Sequence, residues 1–240
     1  MIVRGLVAGV AMAAAVPASA AVTIGTQIVD TRLSGTIGGA PVASDGSDAA
    51  AGSGTISAAA QLVKRPAGGF PMVSGVSTVV AELTGGERGR VTFRRTLTPG
   101  MAASVQASAA NYRYFFTTDA PGAFDVNWGL SSYGSGVGGA TPGQALSLAV
   151  RGSGDTLLAL DLPGDGASGS RSAALAAGSY ELRIFDMVAP IAPAGTTSGL
   201  SSQYSFTIRS VPEPATWGLL LTGLAATGMA LRRRRASVAA

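Results

Sequence analysis

The 240-residue chain contains no cysteine and no histidine. Without cysteine there can be no disulfide, thiol nucleophile or thiolate zinc site, and without histidine no imidazole base or ligand. Ser-His-Asp, Cys-His and H-E-x-x-H constellations are excluded outright. Lys64 is the one lysine, so a Ser-Lys dyad has a single candidate base. Aromatic residues make up 6% of the chain, and alanine supplies much of the 47% hydrophobic fraction, so that fraction overstates the strength of the core. No Walker-type loop occurs. Gly134, Gly136, Gly139 and Gly164, Gly166, Gly169 match G-x-G-x-x-G literally, but neither triplet opens a helix within a βαβ pattern, so both read as loops. These absences point away from an enzyme, and nothing calls for a cofactor or a metal.

The formal charge of +4 belongs to the ends of the chain. Arg4 and Arg232, Arg233, Arg234 and Arg235 are five of the 17 basic residues, and residues 21–211 hold 12 basic and 12 acidic groups. That balanced segment has no overall basic field, so nucleic acid is not an expected partner.

Residues 1–20 read as a secretory signal peptide. Arg4 precedes an apolar run at 5–16, then comes Pro17, and Ala18-Ser19-Ala20 has the small-residue pattern of a cleavage site. Such a segment implies the Sec translocon and signal peptidase as partners, with Ala18 and Ala20 as the cleavage residues.

At the other end, residues 215–231 carry no charge. As a helix, these 17 residues would run about 25 Å, near the short limit for a bilayer core. Pro212 and Pro214 suit the boundary of a helix, and Trp217 suits the membrane–water interface. Arg232, Arg233, Arg234 and Arg235 hold the far end in the cytoplasm, which places everything upstream outside it. Residues 236–240 form a short tail.

Between the ends, residues 21–53 read as a Gly/Ala/Ser-rich leader. Residues 34–57 have few large apolar groups to offset the entropy of ordering them; glycine-rich strands with tight turns are the alternative. Residues 54–210 are expected to form an all-β domain, a β-sandwich or jelly roll. Strand candidates stand at 76–83, 90–97, 112–118, 123–130, 145–150, 156–162, 179–188 and 203–209, separated by turn residues. Residues 84–89 (TGGERG) make a hairpin loop. Phe124, Val126 and Trp128 alternate with Asp125 and Asn127, as Tyr204, Phe206 and Ile208 do with Ser205, Thr207 and Arg209.

Three clusters are candidate sites. Asp155, Asp161 and Asp165 could offer oxygen ligands to calcium, though their spacing does not match an EF-hand, and a solvated turn is the plainer reading. Tyr112, Tyr114, Trp128 and Tyr133, near Asp125 and Asn127, could form a sugar platform; the alternation favours core packing instead. Arg88, Arg90, Arg94 and Arg95 could bind an acidic polysaccharide or could protect an edge hairpin from aggregation.

Pro212-Glu213-Pro214, the uncharged run and the arginine cluster, in that order, resemble the PEP-CTERM sorting signal of Gram-negative bacteria. The resemblance covers residues 211–235 and implies recognition by an exosortase-type membrane protease. It also implies a transient inner-membrane anchor, a final place at the cell surface or outside it, and a link to exopolysaccharide and biofilm. A looser pattern covers residues 111–210. Leu175-Ala176-Ala177-Gly178-Ser179-Tyr180-Glu181-Leu182 and the closing Tyr204-x-Phe206-x-Ile208 are similar to bacterial pre-peptidase C-terminal domains. That likeness implies a small jelly roll with Tyr180 and Leu182 facing its core. The expected function is a non-enzymatic surface or matrix protein, with a carbohydrate-binding module as the alternative.

Overall fold

In a computed structural model, the structure describes residues 21–37, 40–64, 73–99, 103–134, 141–162, 168–189, 198–210, 218 and 221–228. Ala20–Val211 form one compact unit. Its strands are β1 (Val22–Ile37), β2 (Ala40–Ala51), β3 (Gly54–Lys64), β4 (Val73–Thr84), β5 (Arg88–Pro99), β6 (Ala103–Thr118), β7 (Gly122–Gly134), β8 (Thr141–Val150), β9 (Thr156–Leu162), β10 (Ser168–Leu175), β11 (Gly178–Ala189) and β12 (Ser198–Ser210). They build two six-stranded sheets, ordered β2-β1-β6-β11-β8-β9 and β10-β7-β12-β5-β4-β3. Every pairing is antiparallel. The all-β expectation holds, as a sandwich.

The scarce aromatic residues are concentrated between the sheets. Tyr180, Phe116 and Tyr114 of the first sheet stack in series with centroids 5.3 Å apart. Tyr114 then stacks on Phe206 of the second sheet, and Phe206 on Phe124, each at 5.8 Å. Offset stacking adds about 0.5–1.5 kcal/mol per pair beyond area burial, so this column gives an alanine-rich core cohesion that small side chains cannot. The Tyr114 hydroxyl donates to the Gly86 carbonyl at 3.0 Å, which satisfies its polar end. Gly86 itself sits at φ 76° in the β4–β5 turn, and a side chain there would also run into Ile24. Tyr180 and Leu182 are buried, as the weaker resemblance implies. The sandwich nevertheless extends well beyond residues 111–210, because β1 pairs with β6 and β5 pairs with β12.

The leader reading of residues 21–53 is overturned: nearly all of that segment is strand. β1 pairs along its length with both β2 and β6. Its inward positions include Gln27 and Thr31 beside Val29 and Leu33, all buried. Polar residues on the core face mask the period-two signal, and their partners lie far along the chain. Gln27 donates to the Gly52 carbonyl at 2.9 Å and accepts from the Tyr112 hydroxyl at 3.2 Å. Thr31 meets the Ser77 hydroxyl at 2.6 Å.

The small residues of β2 have a structural use. β2 and β3 are end strands of different sheets, and side chains of β2 satisfy unpaired backbone of β3. Asp48 accepts from the Ser57 amide and Ser44 from the Gln61 amide, both at 3.1 Å. A side chain at Gly46 would collide with the backbone of Ala59. Gly46→Val should therefore push β2 away, cost about 1–3 kcal/mol as overpacking does, and re-expose a strand edge. Thermal melting with light scattering should show a lowered midpoint and new aggregation; an unchanged midpoint would contradict this account.

Of the expected span at 215–231, residues 218 and 221–228 are described, and all are helical. Thr222 and Thr227 donate to the carbonyls four residues earlier, at 2.8 and 2.7 Å. Leu221 and Leu224 are exposed. Among the described residues, no helix is long and apolar enough to cross a membrane. The transmembrane expectation rests on neighbours outside the described set, as does the signal peptide with Ala18 and Ala20.

Candidate functional site

Alternation along β5 splits the arginine cluster between two faces. Arg88, Arg90 and Arg94 point outward and are exposed, while Arg95 shares the buried face with Val91 and Phe93. β5 is also no edge strand, since β12 and β4 flank it. The edge-protection reading therefore fails, and the four arginines do not act together.

Two of the outward arginines, Arg90 and Arg94, stand in a groove across the second sheet. A hollow of about 230 Å³ is lined by Val80 and Glu82 of β4, Arg90, Thr92 and Arg94 of β5, and Ser201 and Gln203 of β12. A second hollow, of about 470 Å³, takes in the same Ser201 and Gln203 and continues over β7 to β10. Asn127, Ser131 and Ser168 line its far side, with Trp128 at its wall. The two hollows join through the residues they share.

Arg95 does different work. Its Nη1 donates to Asp186 Oδ1 at 2.5 Å and its Nη2 to the Asp186 carbonyl at 2.6 Å. The Ser202 hydroxyl donates to the other carboxylate oxygen. With exposures of 2% and 0%, this ion pair is fully inside and ties β5 of one sheet to β11 of the other. Gln144, in register with Asp186 on β8, is buried, and among the described residues neither of its amide atoms has a hydrogen-bond partner, nor has the Tyr204 hydroxyl. Burial, reinforced by the Asp186 carboxylate, drives the Tyr204 phenol above its ordinary range. The inward position of Arg95 was visible in its alternation with Val91 and Phe93; its carboxylate partner was not.

The other sequence candidates disperse. Tyr112 and Tyr114 are core residues, and Trp128 packs half-buried against the core with its ring over Gly169. Tyr133's side chain lies outside the described residues. Asp125 faces outward and accepts from Arg209 at 2.6 Å and Ser172 at 2.5 Å, and these bonds hold its carboxyl below the usual range. The aromatic platform is therefore not assembled. Asp155 is exposed in the β8–β9 turn and Asp161 is exposed on β9, while Asp165 is outside the described residues. Among the described residues, no three acidic side chains gather to hold a metal. Gly134 ends β7 and Gly169 lies within β10, and strands rather than helices follow both glycine triplets.

Pro212, Glu213, Pro214 and Arg232, Arg233, Arg234 and Arg235 are outside the described residues, so this part of the site is read from sequence. Residues 210–235 match the family model of the PEP-CTERM protein-sorting motif. The chain carries a PEP-CTERM sorting signal. The PEP-CTERM motif implies processing by exosortase, export, and a transient membrane anchor before display at the surface. It begins on Ser210, the last residue of β12.

No curated protein matches the chain. Among solved structures, the chain is similar to a carbohydrate-binding module of Cellvibrio mixtus lichenase 5A in complex with cellotriose. The identity is 12% over 63% of this chain and 86% of that one, with a TM-score of 0.26. It is also similar to the adhesin domain of Epf from Streptococcus pyogenes, at 9% identity over 77% of this chain and 60% of that one, with a TM-score of 0.29. The enzymatically active domain of bacteriophage CBA120 tailspike protein 4 matches at 10% over 64% of this chain and 19% of that one, with a TM-score of 0.24. At these TM-scores the likenesses carry no argument about ligand or activity.

Proposed function

We propose that this is a non-enzymatic protein of the cell surface or extracellular matrix, associated with exopolysaccharide. Its β-sandwich is the part displayed, and its ends are addresses. In this reading the Sec translocon exports the chain, signal peptidase removes residues 1–20, and an exosortase-type protease acts near Pro212-Glu213-Pro214. The observation that carries it is the sorting motif at 210–235, joined directly to the last strand of the sandwich. The non-enzymatic part draws its support from composition: a chain without cysteine or histidine lacks the usual nucleophile and base pairs.

Mass spectrometry of protein recovered from the surface tests the reading. The mature chain should begin near Ala21 and should lack Arg232, Arg233, Arg234 and Arg235. An intact arginine tail on surface-recovered protein would sink it.

A further inference from the structure

We propose that the groove across the second sheet binds an acidic polysaccharide, a sugar chain bearing carboxylate or sulfate groups, with Arg90 and Arg94 as its anion contacts. This deepens the matrix reading and rests on it for where such a polymer is met, while its test reads binding alone.

The groove's shape comes first. The two hollows share Ser201 and Gln203, so one continuous trough runs from β4 across β5, β12 and β7 to β10. It crosses the strands, and it is open, as a site for an extended chain must be.

Its chemistry comes second. Arg32, Arg183 and Arg209 each sit within 4 Å of a carboxylate: Asp45, Glu181 and Asp125. Arg90 and Arg94, on the outer face of the second sheet, have no such partner among the described residues; Arg88, Arg113, Arg151 and Arg171 have none either, but they line neither hollow. Four residues apart on one strand, their backbones are separated by about 13 Å. Each guanidinium can hold a carboxylate or sulfate through two parallel N–H···O bonds. Among the described residues, Glu82, in register with Arg90, is the one carboxylate lining the trough, so the described lining keeps a positive excess.

Beyond the arginines, the trough continues with Gln203 and Asn127 amides and with serine hydroxyls. These groups donate and accept, which suits sugar hydroxyls between the charged groups. Among the described residues, the one aromatic ring in the lining is Trp128, half-buried against the core and against Gly169, which leaves a neutral sugar little open face to stack on. Affinity should therefore come from spaced charges and fall with salt, with avidity along a polymer raising a weak single contact.

The full-length chain in detergent micelles is titrated with polygalacturonate and with neutral dextran. We expect binding to polygalacturonate and not to dextran, weakened by added salt. R90E/R94E should weaken binding about tenfold or more, as expected when two charge-assisted contacts are lost. Gln203→Ala, which leaves the charge alone, should weaken it about threefold. R113E/R151E makes the same charge change away from the groove and should alter binding less than about twofold, the size expected of a screened distant charge. Should R90E/R94E fail to fold by circular dichroism, Arg90→Gln with Arg94→Gln serves in its place. No binding to polygalacturonate, equal binding to dextran, or an equal loss in R113E/R151E would overturn the proposal. Correct or failed processing of the tail does not bear on any of these readouts.

Discussion

Replacing Asp186 with alanine should destabilise the sandwich by about 3–5 kcal/mol. A domain of this kind is worth only about 5–15 kcal/mol, so the change removes a large share of its stability. The carboxylate takes one hydrogen bond from Arg95 and one from Ser202, and all three side chains are sealed from solvent. Its removal leaves the Arg95 guanidinium inside with Nε already unpaired and Nη1 newly so. A stranded buried charge, rather than the lost attraction, sets the size of the effect. Arg95→Met with Asp186→Leu and Ser202→Ala removes charge and hydroxyl together and should recover most of the loss, because a buried ion pair is often no better than apolar packing. Urea unfolding of the compact unit measures both. A loss under about 1 kcal/mol for Asp186→Ala would show that water reaches the pair.

Glu213→Ala should abolish processing and leave full-length protein in the inner membrane. Residue 213 lies outside the uncharged run, so insertion of the tail depends on residues 215–231 and should persist. The Pro-Glu-Pro motif is what a sorting enzyme can read and a plain membrane anchor does not need. Replacing Arg232, Arg233, Arg234 and Arg235 with serine gives the complementary defect: export continues, but the tail loses its orienting charge and slips or translocates. Fractionation and immunoblotting follow both variants. Normal maturation of the Glu213→Ala protein would reduce the motif to a helix boundary and the tail to a common anchor.

Much of the fold was legible because strand signals are local. Wherever large apolar residues alternate with polar ones, as at 90–97, 123–130 and 203–209, the strands stand where expected, lengthened by a few residues. β1, β2 and β10 went unread for one cause. β1 puts Gln27 and Thr31 on its inner face, while β2 and β10 are built largely of alanine, serine and glycine. Their order comes from neighbours rather than from their own hydrophobic period. β10, for example, pairs along the outer side of β7. A single sequence shows no deficit of ordering entropy being offset by a partner strand elsewhere in the chain.

The candidate site divides in the same way. Composition and order along the chain were enough for the absence of thiol and imidazole chemistry, for the charge balance of residues 21–211, and for the sorting tail, whose parts are adjacent in sequence. Those properties need no partner in space. The tertiary structure alone decided that Arg95, turned inward by its own alternation, meets a carboxylate 91 residues away. It also decided that β5 lies inside its sheet, and that Arg90 and Arg94 share a trough with Gln203 and Asn127. Alternation tells which side of a strand a residue occupies. Which strand lies beside it is settled by long-range pairing, and the trough is a product of that pairing.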